Sequence, residues 1–339
     1  MLILIDGEGA SGKTVLRSLL DGHPELSVLP FHDMIIEVLV TGPENIPWLA
    51  YRDTAFLRGL LAGSSYYQLE QYALHGSIEI DVSVKDRLVI PFEFDFGRFD
   101  AAWMRRLHDT SDWTVPRIVE LIHSAYRREH EGADRPVRRL VGMGFDNPAT
   151  PHRLFDYTTD ARLVYLNRPV PEVLAARARR RSSDREVMSR ENDALTIDAL
   201  LRKGKVGKMR NRLRAVRDLQ DSDPDRVRIV DFHRLIEDTD DLMRELAAFL
   251  GVSYAQSMRR PTLLGRPLVT EDGRSFVGRV LDRPEELLTA RERALIAMEL
   301  DWRQVLNPRH LTDPGLLYRT MHLRAGRALR ALGSRRPAS

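Results

Sequence analysis

The chain has 339 residues, of which 43% are hydrophobic and 30% charged, so it can form one large α/β domain or two small ones. Its 52 Lys and Arg against 49 Asp and Glu give a formal net charge of +3, which does not favour a nucleic-acid binder. The absence of cysteine excludes disulfides, thiolate catalysis and cysteine metal sites. We find no apolar run of membrane-spanning length and no signal peptide, and we expect a cytoplasmic protein.

The first twenty residues carry the most informative pattern. A short apolar strand ends at Asp6, the pattern Gly-x-x-x-x-Gly-Lys-Thr occupies residues 7–14, and a helical pattern with an apolar face follows. Glycines let successive backbone N–H groups converge on an anion, the helix adds its positive N-terminal end, and the lysine adds a mobile charge. The segment therefore predicts a phosphate-binding loop.

Further along the chain, strands alternate with helices. Further strands are predicted at residues 26–30, 139–143, 162–166 and 227–231, and residues 33–130 are predicted to be mainly helical. Alternation of this kind predicts a parallel sheet covered on both faces, with ligands at the carboxyl ends of the strands. We therefore expect the loops at 7–14, 30–36, 144–152 and 167–172 to converge.

The C-terminal part of the chain is more basic than the rest. Residues 177–217 hold most of the local Arg and Lys excess, and no acidic residue follows Arg319. Helices are predicted at 284–305 and 315–332. We expect residues 1–310 to form one domain, in which 33–130 shape a substrate pocket, and residues 311–339 to form a basic helix and tail.

Four segments carry a resemblance. They are the loop, helix and His-Pro at 9–24, the strand and helix at 161–177, the strand and helix at 227–254 with Phe-Leu-Gly near its end, and the helix at 288–293. In this order they resemble the sulfotransferase family, whose enzymes move a sulfuryl group from 3′-phosphoadenosine 5′-phosphosulfate (PAPS) to an acceptor. The resemblance implies a three-layer α/β fold like that of P-loop NTPases, with a central parallel sheet and a helical insertion.

The resemblance also implies how the donor is bound. The 5′-phosphosulfate would lie on the backbone of Gly9, Ala10, Ser11, Gly12, Lys13, Thr14 and Val15. Arg168 would pair with the 3′-phosphate. Because charge builds on the bridging oxygen during transfer, a cation near it should stabilise the transition state, and Lys13 is our candidate for that role. PAPS would be the donor and adenosine 3′,5′-bisphosphate (PAP) the product. No metal is needed, because lysine, arginine and the helix dipole supply the positive charge.

An acceptor hydroxyl usually needs a general base. His32, just after the second strand, and Glu37, about one helical turn later, lie where the fold would place one, and His152 is a third candidate. Each of these side chains also fits a structural role as a cap or a surface group. The acceptor is a small molecule, a carbohydrate or a lipid, and a homodimer is compatible with the sequence.

The chain departs from the family pattern at several positions. Ala10 stands where the family usually carries Lys or Arg, and Lys13 stands in place of a threonine. Ala176 replaces the serine expected eight residues after Arg168, a loss for which Arg177 could substitute. The loop at 146–148 lacks the lysine that is common there.

Two alternatives stay open at this point. In an ATP-dependent P-loop kinase, Thr14 would bind Mg²⁺, Asp231 would complete the metal site, and the arginines at 177–181 would close over phosphates. In a non-catalytic nucleotide-binding or interaction protein, the departures would record decay of the site.

Overall fold

The computed structural model describes residues 1–30, 32–42, 48–62, 64–81, 87–132, 139–144, 147, 149–183, 197–268 and 288–300. The chain divides into two units, one of Met1–Asn167 with Val216–Leu281 and one of Arg168–Ala215 with Asp282–Ser339. The basic helix and tail predicted within 311–339 lie outside the described residues.

The strands and helices have the following bounds. The strands are β1 (Leu2–Gly7), β2 (Leu26–Val28), β3 (Ser77–Asp81), β4 (Arg87–Pro91), β5 (Arg139–Met143), β6 (Ala161–Asn167), β7 (Val227–Asp231), β8 (Thr262–Leu263) and β9 (Arg266–Pro267). The helices are α1 (Lys13–Leu20), α2 (Ile35–Thr41), α3 (Trp48–Tyr51), α4 (Thr54–Ala62), α5 (Gln68–His75), α6 (Phe96–His108), α7 (Val115–Glu131), α8 (Thr150–Tyr157), α9 (Val170–Ser183), α10 (Ile197–Arg202), α11 (Lys205–Ser222), α12 (Phe232–Glu237), α13 (Thr239–Leu250) and α14 (Ala290–Leu300).

Within the described residues, the first unit is built on a five-stranded parallel sheet in the order β2-β5-β1-β6-β7. All six residues of β1 are buried. Because alternate side chains of a strand point to opposite faces, this burial means that both faces of the sheet are covered. The predicted α/β class with a central parallel sheet is therefore confirmed, as are the four strands predicted after β1.

The register of the sheet fixes which loops are neighbours. Ile5 of β1 pairs with Met143 of β5, and Gly7 at the end of β1 pairs with Leu166 of β6. The carboxyl ends of these three strands therefore lie side by side. Apolar residues of β1, β5, β6 and β7 pack with those of α1, α12 and α13 in one core, so the start of α1 is held on the sheet.

Residues 33–130 contain α2 to α7 and also a hairpin that the helical pattern did not predict. Strands β3 and β4 pair antiparallel, with Ile78 opposite Ile90. Both isoleucines are buried, whereas Glu79 and Val89, the next pair of the hairpin, are exposed. The segment around Ile78 therefore has the apolar–polar alternation of a half-buried strand. This period of two differs from the helical period of 3.6 residues on which the prediction for 33–130 is based.

The second unit has a core of its own. Apolar residues of α9, α10, the start of α11 and α14 pack together, among them Val173, Leu174, Leu201 and Ile296. Arg168 and Pro169 precede α9, and Arg168 is the next residue of the chain after β6.

Candidate functional site

The loop between β1 and α1 has the backbone of an anion-binding turn. Gly7 and Gly12 have φ of 144° and 100°, and Ala10 between them has φ of 67°. A Cβ on Gly7 would lie 2.7 Å from the carbonyl oxygen of Leu166, and one on Gly12 would lie 2.6 Å from the Phe232 ring. Both conformation and space therefore require glycine at these two positions.

Polar side chains of the loop lie at the N-terminus of α1. The N-cap residue of α1 is Gly12, which has no side chain to cap the helix, and the first amides of a helix have no partner within it. The Ser11 side chain is 1% exposed, and its Oγ has no hydrogen-bond partner among the described residues. Lys13 is buried as well, and its Nζ donates to the Gly7 carbonyl at 2.5 Å. The loop thus combines the Ser11 hydroxyl with the Lys13 ammonium, whose Nζ lies on the loop backbone.

Ala10 stores conformational strain in this loop. A non-glycine residue in the left-handed region costs about 1–2 kcal/mol, and glycine avoids that cost while losing about 0.5–1 kcal/mol in entropy. We expect Ala10→Gly to raise the free energy of unfolding by about 0.5–1 kcal/mol in urea titrations. The control Ala101→Gly, on the exposed face of α6, should lower it by about 1 kcal/mol. A decrease in both variants would contradict the strain at Ala10.

Two buried carboxylates lie beside Gly144, close to the start of the loop. Asp6, the residue before Gly7, is fully buried, and Glu37 of α2 is 7% exposed. The point where a Cβ on Gly144 would lie is 2.6 Å from Asp6 Oδ1 and 3.2 Å from Glu37 Oε2. Asp6 Oδ1 accepts from the Gly7 N–H at 2.7 Å, and Glu37 Oε2 accepts from the Thr150 hydroxyl at 3.2 Å. Glu37 therefore lies close to the strand end from which the loop begins.

Gly144 is needed because these carboxylates occupy the space of a side chain. We expect Gly144→Ala to lower the free energy of unfolding by about 1–3 kcal/mol, since its methyl group must displace Asp6 or the end of β5. Gly59→Ala on α4 is the matched control: no atom lies within 4 Å of its added Cβ, and it should gain about 0.5–1 kcal/mol from helix propensity. Equal stabilities of the Gly144 variant and the parent chain would contradict the packing.

Described residues of the predicted loops at 7–14, 30–36 and 144–152 lie near one another at the carboxyl ends of β1 and β5. Asp33 accepts at its backbone carbonyl from the Met143 N–H at 2.6 Å, and its Oδ1 accepts from the Ile35 N–H at the start of α2. The loop at 167–172 belongs mostly to the second unit. Asp33 thus ties the start of α2, and with it Glu37, to the end of β5.

The polar side chain of His123 contacts Ser27 and, in the loop between β2 and α2, Asp33. His123 of α7 is fully buried, its Nδ1 lies 2.9 Å from Ser27 Oγ, and its Nε2 lies 3.5 Å from Asp33 Oδ2. Arg17 of α1 donates to the Leu29 carbonyl at 2.8 Å. Burial lowers the pKa of the Arg17 guanidinium, and the charge of Asp21 opposes this shift.

The three candidate bases occupy different environments. His32 is partly buried in the loop between β2 and α2, and His152 is exposed in the first turn of α8. Glu37 is the candidate whose carboxylate lies, like that of Asp6, beside Gly144. The structure therefore brings Glu37 to the carboxyl end of β1 and leaves His152 facing solvent.

The predicted 3′-phosphate residues lie in the second unit. Arg168 is buried, and its Nε lies 3.1 Å from Oε2 of Glu172, which is also buried. Arg177 lies further along α9 and is partly exposed. Sequence reasoning identified Arg168 but missed Glu172, although an acid four residues after an arginine at a helix start indicates an ion pair.

Asp231, the acid that the kinase alternative assigns to the metal, has another role. Its Oδ1 accepts from the backbone N–H of His233 at 2.8 Å and of Arg234 at 3.3 Å, so it caps α12. Within the described residues, no group of three or more His, Cys, Asp or Glu side chains could hold a metal ion. Among the helices that the structure describes, none combines the length and the apolar character of a membrane span.

Two of the four resembling segments contact each other. His23 Nε2 lies 2.8 Å from the Ser253 carbonyl oxygen, and Glu25 Oε1 accepts from the Ser253 N–H at 2.8 Å. This backbone hydrogen bond lowers the pKa of Glu25. The His-Pro after α1 and the turn after Phe-Leu-Gly are therefore parts of one structural contact, which fixes the end of α1 against the end of α13.

Other residues of the site were missed by sequence reasoning. Asp6 carries a signal, since a single acid ends an otherwise apolar strand before a glycine, and Gly144 carries one as the second glycine at the end of β5. Thr150 and His123 carry none, because each lies on a helix in a pattern that packing alone explains.

Comparisons with known proteins give sulfotransferase structures. No family profile and no curated protein matches the chain. The sulfotransferase domain of the olefin synthase of Synechococcus PCC 7002 is 15% identical with a TM-score of 0.46, over 88% of this chain and 94% of that one. The sulfotransferase domain of the curacin biosynthetic pathway is 14% identical with a TM-score of 0.42, over 88% and 96%.

A third similar structure is sulfotransferase STF1 of Mycobacterium tuberculosis H37Rv, at 16% identity and a TM-score of 0.41, over 83% of this chain and 75% of that one. These proteins are sulfotransferases by name, the family that the four sequence segments resemble. Their TM-scores below 0.5 leave the question of activity to the residues of the site.

Proposed function

We propose that the chain transfers a sulfuryl group from PAPS to an acceptor hydroxyl or amine, and that residues 9–15 bind the 5′-phosphosulfate. The observation that carries the proposal is the buried Ser11 hydroxyl, without a hydrogen-bond partner among the described residues, beside a helix N-terminus whose cap residue is Gly12. A phosphosulfate oxygen would accept from this hydroxyl and from the first amides of α1. The donor set therefore fits an anionic group of this kind.

Two observations favour sulfuryl transfer over the kinase alternative. The carboxylate of Asp231, which a kinase would use at its metal site, is engaged in capping α12. The four segments of the sequence that resemble sulfotransferases follow one another in family order and include the His-Pro contact to Ser253, for which the kinase alternative has no account.

The chemistry assigned to the residues is simple. Bound PAPS supplies an activated sulfuryl group. The acceptor oxygen forms a bond to sulfur, the bond between sulfur and the bridging phosphate oxygen breaks, and the acceptor proton passes to a base. Lys13 stabilises the charge on the bridging oxygen, and Glu37 takes the proton, because its carboxylate lies beside Gly144 and Asp6 where the loop begins.

The remaining assignments follow from the resemblance. Arg168 and Arg177 are proposed ligands of the 3′-phosphate, and PAP is the product. The donor requires no metal, and the reaction takes place in the cytoplasm. The segment 33–130 shapes the pocket for a small-molecule, carbohydrate or lipid acceptor.

Ligand-dependent thermal unfolding tests the proposal without knowledge of the acceptor. The protein is heated with PAP or with ATP, each in the presence of Mg²⁺ or of a chelator. We expect PAP to stabilise the protein equally in both conditions, by about 2.7 kcal/mol when its concentration is 100 times Kd.

The other outcomes are equally informative. Stabilisation by ATP with Mg²⁺ and none by PAP would establish the kinase alternative and overturn sulfuryl transfer. No stabilisation by either ligand would favour the non-catalytic alternative. Lys208→Ala on the exposed surface of α11 serves as a control for unspecific anion binding and should leave the PAP response unchanged.

A further inference from the structure

Arg168 is held by a carboxylate on its own chain segment. Glu172 lies four residues after Arg168, and the side chains of Arg168 and Glu172 are 5% and 10% exposed. The contact joins Arg168 Nε to Glu172 Oε2 at 3.1 Å, and it is both a hydrogen bond and an ion pair. Both residues belong to the second unit.

The side of the guanidinium that Glu172 contacts matters. A guanidinium is a rigid plane, and a carboxylate that binds its Nε–H fixes the orientation of the whole plane and the direction of both Nη groups. Arginine binds phosphate best when it presents a pair of N–H groups in a fixed fork. A carboxylate on Nε therefore sets the fork by which Arg168 would meet a phosphate.

We propose that Glu172 is a positioning residue for Arg168 and so determines the preference of the site for a 3′-phosphorylated nucleotide. This inference rests on the proposed function, in which Arg168 binds the 3′-phosphate. Ala176, one turn beyond Glu172, brings no hydroxyl to this helix face. The orientation of Arg168 consequently carries more of the recognition than it would with a serine at that position.

The charge of Glu172 acts in the opposite direction, because a carboxylate repels a phosphate. Because Arg168 and Glu172 are both buried, the orientation of Arg168 by Glu172 outweighs this repulsion. Without the Glu172 carboxylate, the buried guanidinium would lose the contact at Nε that fixes its plane. We therefore infer that Glu172 supports phosphate binding through the length of its side chain, which brings an oxygen to Arg168 Nε, and not through its charge.

Two variants separate reach from charge. Glu172→Gln keeps an oxygen acceptor at the same distance from the backbone and removes the charge, whereas Glu172→Asp keeps the charge and shortens the side chain. Calorimetric affinities are measured for PAP and for adenosine 5′-phosphate, which lacks the 3′-phosphate. The ratio of the two affinities reports the 3′ contact, and the affinity for adenosine 5′-phosphate is the internal reference for folded protein.

We expect the unmodified protein to prefer PAP, Glu172→Gln to keep that preference within about threefold, and Glu172→Asp to lose about tenfold of it with unchanged affinity for adenosine 5′-phosphate. Glu237→Gln, exposed on α12, is the control and should change neither affinity. Tighter PAP binding by Glu172→Gln together with an unchanged Glu172→Asp would overturn the positioning role alone. A lack of preference for PAP in the unmodified protein would overturn the placement of Arg168 and this inference with it.

Discussion

Replacing Lys13 by alanine is expected to slow the release of PAP from PAPS by about 100- to 1000-fold, the range seen when one donor to a developing negative charge is removed. Lys13 is 5% exposed and is the first residue of α1. Its Nζ lies on the Gly7 carbonyl, so the ammonium is already confined to the loop before an anion arrives. The charge therefore acts in a site with little water, where its attraction for the leaving oxygen is strongest.

The rate is measured as PAP formed over time, with the acceptor or with water taking the sulfuryl group. Lys13→Arg retains the charge and should recover part of the rate, because the larger guanidinium misplaces it. Lys208→Ala should match the unmodified protein. An unchanged rate in Lys13→Ala would contradict the role of this lysine in the chemistry.

Replacing Arg17 by methionine is expected to lower the free energy of unfolding by about 3–5 kcal/mol, the usual loss when one member of a buried charged network is removed. Arg17 is 5% exposed and donates to the Leu29 carbonyl at 2.8 Å. Burial lowers the pKa of its guanidinium, and the charges of Asp21 and, more weakly, Asp33 oppose this shift. The variant leaves that carbonyl and both carboxylates without their buried cation.

Urea titration of the purified protein measures this loss, and the midpoint should fall without a change in slope. Arg105→Met, at an exposed position of α6, is the control and should stay within about 0.5 kcal/mol. Because Leu29 and Asp33 flank the loop before α2, a folded Arg17 variant should also turn over more slowly. A stability equal to that of the parent chain would mean that water solvates this guanidinium.

The central sheet could be predicted from the sequence because its inner strands β5, β1 and β6 are buried on both faces. Val141 and Val164, for example, lie in continuous apolar runs that end at turn residues, and such runs have few other structural solutions. The loop at 7–14 could be predicted for a different reason. Its function depends on backbone conformation, and glycine spacing records that conformation directly.

The arrangement around Glu37 could be predicted only in part. The position of α2 after the second strand made Glu37 a candidate, but nothing local to it names Asp6, Gly144 or Thr150 as its neighbours. These residues come from three other elements, and their contacts follow from the order of strands in the sheet. Side chains that meet through long-range topology leave no spacing pattern in the sequence.

Hydrogen–deuterium exchange of the loop tests the central claim most directly. Peptides that cover residues 7–20 are followed by mass spectrometry with and without PAP, in a chelator so that no divalent metal contributes. We predict that PAP slows exchange of the amides of residues 12–15, because under the proposed function they donate to the 5′ group of the nucleotide. Unchanged exchange in this segment at saturating PAP, with slower exchange elsewhere in the chain, would contradict the account.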